Sequence, residues 1–401
     1  MHDSPYPWLA SRQTAMSDDL IALANQNSGS GNASGLMAVA EWLQNWMDLP
    51  GASFRAEPLP ARHVIDDHGK ELAIESPPML RWDWVPKSAA QLRQDPTERL
   101  RRVLLAIHYD TVFPADSPFQ ECQWQDSQRL NGPGVADAKG GIVVIRYALQ
   151  ALLHFGLLKN VGFSVLLNPD EEIGSPSSTR LFNEVAAEFD FGLLFEPALP
   201  SGGLVSERKG SGNYTVVVRG RSAHAGRDMA SGRNAIVHLS RLLLEMDRLN
   251  GQRAGLTLNV GVVRGGTAFN VVPDLAIGRV NVRVADQASV TWVDKQFAKL
   301  IAEANQAEGF HCKLHGGITS SPKPLSDPQR QLMLAVEQAS LAIGASPIAW
   351  QATGGVCDGN KLAAAGLPNI DTLGPRGDGL HSVGEWVDIP SLVEKSQLIV
   401  N

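Results

Sequence analysis

Two histidines and five carboxylates stand where apolar runs of this chain end. They are His108 and Asp110 in "AIHYDTV", Asp137 in "NGPGVADAKGG", Glu171 and Glu172 in "LLNPDEEIGS", Glu196 in "LLFEP" and His381 in "GDGLHSVGEWVDI". If the apolar runs are parallel strands, their carboxyl ends and the loops that follow converge on one crevice. Acids gathered there repel one another unless cations neutralise them. Imidazole and carboxylate ligands without thiolate suit zinc, with manganese or cobalt chemically acceptable, and the ligand count fits two ions bridged by one carboxylate. Each piece alone has a plainer reading. Asp170, Glu171 and Glu172 suit a solvated turn that opens a helix in "SPSSTRLFNEVAAEF", because acids favour a helix N-terminus, and a His-x-Asp pair is an ordinary polar strand end.

The elements that must position these residues alternate between strand and helix. "LIALANQNSGSGNASGLMAVAEWLQNWM" reads as two helices split by a loop, and "RRVLLAIHYD" as a buried strand. The helix "GGIVVIRYALQALLHFG" ends at Gly156, and the strands "VGFSVLLN" and "FGLLFEP" follow with a helix between them. This alternation predicts an α/β fold, a mainly parallel sheet with helices on both faces. From about residue 209 the order becomes strand, helix, strand, strand, helix, strand, a compact two-layer α+β unit in itself. Alternation resumes through "IAWQATGG", "GNKLAAAG" and "PNIDTLG". The expected organisation is a first catalytic part over 1–208, an inserted unit over 209–320 and a second catalytic part over 321–401. Residues from about 60 to 100, with "RWDWVP" and "QLRQDPTERLRR", read as irregular strand and loop.

Composition narrows the function classes. At 401 residues the chain is about twice a usual single domain, which leaves room for a large core and an insertion. Lys and Arg total 35 against 42 Asp and Glu, a formal charge of -7. No basic field is there to attract nucleic acid or a membrane surface. The beginning of the sequence lacks a basic segment followed by an apolar core, and no apolar run is long enough to cross a bilayer, so a cytoplasmic location is expected. Cys122, Cys312 and Cys357 are few and scattered, which fits reduced thiols better than disulfides or a thiolate metal site. "NSGSGNASG" lacks the Lys-Ser or Lys-Thr of a phosphate loop, and no Gly-x-Ser-x-Gly elbow marks a nucleophilic hydrolase. His311 and His315 flank Cys312 without complementary ligands nearby in sequence.

Taken in order, "HYDTV", "GPGVADAKGG", "NPDEEIGS", "FEP", "SAHAG" and "HSVGEWV" resemble the motifs of one family. It is that of glutamate carboxypeptidase, acetylornithine deacetylase, succinyl-diaminopimelate desuccinylase and aminoacylase, two-zinc amidohydrolases and peptidases. "GPGVADAKGG" and "TGGVCDG" look most like its carboxypeptidase G branch. The resemblance spans about residues 100 to 390. It implies a zinc-peptidase-like fold whose inserted unit is a lid through which two chains dimerise, and two Zn2+ per chain, replaceable by Co2+ or Mn2+. His108, Asp137 and Glu196 would hold one ion, and Asp137, Glu172 and His381 the other. Asp110, two residues from His108 on a strand and so on the same face, would orient or polarise it.

By the same resemblance Glu171 is the general base. The sequence alone also allows Glu171 at the metal with Glu172 beside it. His224 in the lid would stabilise the oxyanion, often in the partner subunit's site. Asn270 and Arg283 would contact substrate, Arg283 by pairing with a free carboxylate, and the backbone of Thr353, Gly354 and Gly355 would approach it. Val356 and Cys357 replace smaller or hydroxylated residues of the branch pattern, which leaves substrate identity open. The implied reaction is hydrolysis of an amide or peptide bond next to a free carboxylate, with release of a C-terminal residue. The alternatives are an N-acyl-amino-acid deacylase, a dipeptidase, or a non-catalytic amino-acid or peptide-binding relative.

Overall fold

The computed structural model describes residues 4–87 and 99–401. Six strands form the central sheet in the spatial order Ser53–Glu57, Met79–Trp84, Val161–Asn168, Arg101–His108, Phe191–Leu194, Asn369–Ile370. The last four pair in parallel, and Met79–Trp84 runs antiparallel to both its neighbours. The sheet is therefore mainly parallel.

Its central strand has no polar face, because helices cover both sides. Val103, Leu105 and Ile107 of Arg101–His108 pack with Leu20, Ala148 and Leu392 from the helices Gln13–Ala24, Lys139–His154 and Ile389–Val400. Leu104 and Ala106 point the other way, to Phe182 of Thr179–Val185 and Leu362 of Asp358–Ala364. Truncating a side chain such as Leu105, 2% exposed, to alanine typically costs about 2–5 kcal/mol. The helix Lys139–His154 approaches the sheet very closely at its start. A Cβ on Gly141 would lie 2.2 Å from the Phe195 carbonyl oxygen, so the glycines of "AKGG" let the helix sit against the strand end that carries Glu196.

The region expected to be irregular contains more sheet than its sequence suggests. Arg62–Ile65 and Glu71–Ile74 form a hairpin, and Met79–Trp84 lies inside the central sheet. Its pattern is hard to recognise because two charged residues interrupt it. Arg81 is buried yet satisfied by Asp83 and Glu188. Much of "QLRQDPTERLRR" lies outside the described residues.

A second sheet, antiparallel and four-stranded, lies within residues 210–320. Its spatial order is Thr257–Gly265, Leu275–Val284, Gly210–Arg219, His311–Ser320. With the helices Ala235–Asp247 and Gln287–Ala304 the chain order is strand, helix, strand, strand, helix, strand. This unit is the two-layer insertion expected from the sequence, referred to below as the lid. Val216, Val218, Val280 and Val282 pack against Leu239, Leu243, Val293 and Phe297 of the two helices in a core of their own.

Residues of opposite parity, Arg279 and Arg283 among them, face away from the helices. The hairpin turn docks on that side: Asp67 pairs with Arg279 at 2.8 Å and Arg264 at 3.5 Å, and Arg279 also donates to the Ile65 carbonyl. Where the chain enters and leaves the lid, Arg208 and Lys323 exchange backbone hydrogen bonds of 3.0 and 2.9 Å. Both side chains converge on the buried Asp371, at 2.6 Å and 2.5 Å.

Candidate metal centre

The parallel strands deliver their polar ends to one place. His108 ends its strand at 1% exposure. Its Nδ1 lies 3.0 Å from the backbone carbonyl of Asp110, and a carbonyl only accepts, so Nδ1 carries a proton and Nε2 faces the cluster. There Nε2 lies 3.1 Å from Asp137 Oδ1 and 3.7 Å from Glu196 Oε2. The other Asp137 oxygen, Oδ2, lies 3.3 Å from His381 Nε2, which is also 3.2 Å from Glu172 Oε2. One carboxylate thus presents one oxygen to each imidazole, with a glutamate beside each pair.

Neighbouring segments hold these side chains in register. Asp110, fully buried, accepts from the backbone N–H groups of Glu171 at 3.0 Å and Glu172 at 3.2 Å, and from Ser30 Oγ at 2.7 Å. The expected role of Asp110 was toward His108; the structure adds a clamp on the acidic turn. Asp170 turns away from the cluster to accept from Ser177 N at 2.7 Å and Ser178 N at 3.2 Å, fixing the turn that follows.

Glu385 was not singled out from sequence. It is fully buried and accepts from Gly134, Ala136 and Asp137 backbone N–H groups, so it shapes the loop that presents Asp137. Its signal was an acid four residues past His381 in "HSVGEWV". The loop "NSGSGNASG" proves to be a buttress: Ser30 N donates to Thr111 O and Thr111 N to Ser28 O, beside Asp110. His381 itself sits at φ 61°, a strained backbone for a non-glycine residue.

The donor set fits divalent cations on observations of this structure. Glu172 Oε1 is buried and has no hydrogen-bond partner among the described residues, a costly state for a carboxylate oxygen. One ligand atom each from His108, Asp137 and Glu172 lie within 4.8 Å of one another. Ligand atoms of a tetrahedral zinc bonded at about 2.0–2.2 Å stand roughly 3.4 Å apart, close to the 3.1 Å and 3.7 Å that separate His108 Nε2 from Asp137 and from Glu196.

Electrostatics agrees. Burial pushes Glu172 up to about 7, and Glu171 and Glu196 also rise, chiefly through burial. Hydrogen bonds to Asp137 and Glu172 push His381 up to about 10. His108, against the opposing effect of burial, is held well above its usual value by Glu196, Asp110 and Asp137. Asp137 alone moves down, since the two histidines outweigh its burial. The cluster gathers positive charge in whatever form is offered.

The other expected site residues fall into two groups. Arg283 donates to the Gly354 carbonyl at 3.5 Å and is near enough to Glu171 for their charges to interact. Thr353 Oγ1 accepts from Gly355 N at 3.3 Å, and a Cβ on Gly354 would meet nothing within 4 Å, so the loop borders open space. His224 and Asn270 are exposed and close to each other on the two-stranded ribbon Ala223–His224 and Val271–Val272, where Ala225 N donates to Asn270 O. The one hydrogen bond of the His224 ring among the described residues is local, from Gly226 N. Within one chain, His224 and Asn270 are not joined to the cluster.

Acids and imidazoles collected at the carboxyl ends of a parallel sheet, short of positive charge, mark a metal-dependent hydrolase. The model of Peptidase family M20/M25/M40 matches residues 104–401, and the chain belongs to that family of metallopeptidases. Carboxypeptidase G2 of Pseudomonas sp. (strain RS-16) is 30% identical over 304 residues, 73% of this chain and 71% of the relative. An M20 family metallo-carboxypeptidase from Sulfolobus solfataricus shares the fold with a TM-score of 0.71, at 16% identity, over 96% of this chain and 97% of its own. The YXEP protein of Bacillus subtilis, described as a dinuclear metal binding peptidase, shares it with a TM-score of 0.63 at 13% identity, over 98% of each chain. Among the described residues no helix is long and apolar enough to cross a membrane.

Proposed function

We propose that this chain is a two-zinc hydrolase that cleaves an amide or peptide bond beside a free carboxylate and releases a C-terminal residue, in the manner of carboxypeptidase G. The observation that carries the reading is the Asp137 carboxylate, with Oδ1 toward His108 and Oδ2 toward His381. His108, Asp137 and Glu196 would hold one ion, and Asp137, Glu172 and His381 the other. When bound, the ions polarise the scissile carbonyl and acidify water.

The remaining steps belong to the chain's own side chains. Glu171 accepts the proton of the attacking water and returns it to the leaving nitrogen, and Asp110 fixes both glutamates through their backbone. Arg283 takes the substrate carboxylate as a paired hydrogen bond, with Thr353, Gly354 and Gly355 along the backbone it follows. His224 and Asn270 complete the site from a partner lid, His224 donating to the carbonyl oxygen as negative charge develops.

The dimer is supported by apolar side chains left exposed on the lid, Val237 and Leu244 on its helix and Val263 on its edge strand. The three free cysteines suit a cytoplasmic, reducing setting.

The test is a panel of N-acyl amino acids, dipeptides and their C-terminal amides, assayed with zinc, cobalt or manganese by release of free amine. Turnover is expected for substrates with a free carboxylate and lost on amidation. Equal turnover of the amides would remove the carboxylate requirement, and a preference for N-acetyl amino acids over peptide-like N-acyl groups would make the enzyme a deacylase.

A further inference from the structure

Two arginines hold consecutive carbonyls of the loop at 353–355, and they hold them differently. Arg283 Nη1 donates to the Gly354 carbonyl at 3.5 Å, at the long limit of a hydrogen bond. Its Nε donates to Asn281 Oδ1 at 3.2 Å, and it forms no ion pair among the described residues. The charge of Arg283 is open to a ligand. Arg208, 9% exposed, donates through Nη2 to Asp371 Oδ1 at 2.6 Å and through Nη1 to the Gly355 carbonyl at 3.3 Å. Lys323 meets the other oxygen of Asp371 at 2.5 Å.

The main chain explains why the loop needs such anchors. The strand Leu204–Arg208 pairs in parallel with Trp350–Thr353, Arg208 standing opposite Thr353, and Lys209 N donates to the Thr353 carbonyl at 3.1 Å. Pairing stops there. Gly354, Gly355 and Val356 make no hydrogen bond to another main-chain group among the described residues, and two glycines in a row leave the backbone wide conformational freedom. The bond from Gly355 N to Thr353 Oγ1 lies within the loop itself. What ties the Gly354 and Gly355 carbonyls to the rest of the protein is the pair of guanidinium groups.

We propose that Arg208 is a positioning residue for substrate: it fixes the loop at Gly355 while Arg283 leaves the Gly354 carbonyl for the substrate carboxylate. The inference rests on the reading that Arg283 receives that carboxylate. A charged acceptor outcompetes a neutral carbonyl for a guanidinium, so binding releases one anchor at the moment when the loop must stay in place. Arg208 is spared this competition, because it is buried and Asp371 already engages it. The strand it ends is the one that enters the lid, so the loop is registered to the lid joint as well as to Arg283.

The experiment uses Arg208→Lys in the full-length, zinc-loaded protein. Lysine keeps a cation against Asp371 but lacks the two-armed fork that also spans to Gly355. Amide hydrogen exchange without substrate is expected to quicken across 350–357 and to stay unchanged across 104–110, with zinc content as in wild type. With the best free-carboxylate substrate of the panel, KM should rise about tenfold or more, the scale of one hydrogen bond from a charged donor. The kcat should stay within about twofold, as when only binding is lost. Arg208→Gln leaves Lys323 and Asp371 as a one-to-one pair and repeats both measurements should Arg208→Lys fail to fold. Loop exchange equal to wild type overturns the proposal. Faster loop exchange with KM unchanged does so too, since a brace that serves stability alone lowers the melting temperature and nothing else. Arg208 is near enough to Glu196 for their charges to interact, so a fall in kcat with KM unchanged, or a loss of zinc, would assign it to the metal centre and also overturn the proposal. Wild-type protein that turns over no free-carboxylate substrate would fail the hydrolase reading instead; loop exchange needs no substrate and still decides whether Arg208 holds the loop.

Discussion

His108 is 1% exposed and engaged through both ring nitrogens, while His224 stands in solvent on a two-stranded ribbon with one local hydrogen bond. The same side chain has been placed in opposite conditions. In the cradle, Asp110 and Glu385 fix the segments that present the acids and hold like charges together. On the lid, the His224 ring makes only its local hydrogen bond from Gly226 N, and the Asn270 side chain makes none among the described residues. A pre-organised half and an open half make sense together if the second is completed by another molecule of the same chain.

The largest effect should come from emptying the cradle. Stripping divalent metal should abolish hydrolysis, and zinc should restore it with up to two ions per chain by metal analysis; full activity in excess chelator would show that the cluster is structural. Next in size, Glu171→Gln should retain both ions and the melting temperature but lose about a hundredfold to ten-thousandfold in kcat. Wild-type turnover in that variant would reassign the base.

The lid half is expected to weigh somewhat less. His224→Ala should cost about a hundredfold to a thousandfold in kcat, the scale of one oxyanion donor. Mixing His224→Ala with Glu171→Gln under subunit exchange should recover activity through heterodimers with one complete site, and verified heterodimers that stay inactive would confine each site to one chain. The smallest change tests the support of the cradle: Asp110→Asn should weaken metal affinity about ten- to a hundredfold, as loss of an outer hydrogen-bond partner does, measured by competition with a chelating dye. Unchanged affinity would mean that Ser30 and the backbone suffice to hold the turn.

The contrast also separates what the amino-acid pattern reveals from what it hides. Apolar runs with no polar alternation, such as those ending at His108 and Asn168, identify strands buried on both faces, and the first polar residue after each marks the crevice. Local pattern therefore reaches His108, Asp110, Glu171, Glu172 and Glu196. It does not reach Glu385, which accepts from a backbone N–H 251 residues away, or Ser30, which donates to the Asp110 carboxylate 80 residues away; a hydrogen bond to so distant a group leaves no periodic trace. Met79–Trp84 was hidden for a related reason, because the buried Arg81 pairs with Asp83 on its own strand and with Glu188 from a distant segment, so a buried strand carries the composition of an exposed one. The role proposed for His224 rests on assembly, which no local pattern of residues records.

The joint between the two halves has a mechanical consequence. The chain crosses into the lid and back at adjacent points that are hydrogen-bonded to each other, Arg208 with Lys323, and pinned by one acid, Asp371. Two tethers fastened side by side form an axle about which the inserted unit would turn if it moves as one body. The hairpin bearing Asp67 grips Arg264 and Arg279 away from that axle and acts as a stay on the arc. A swing that carries the lid off the hairpin must break those ion pairs, and high salt, which screens the exposed pairs far more than the buried axle, should widen the arc while leaving its direction unchanged.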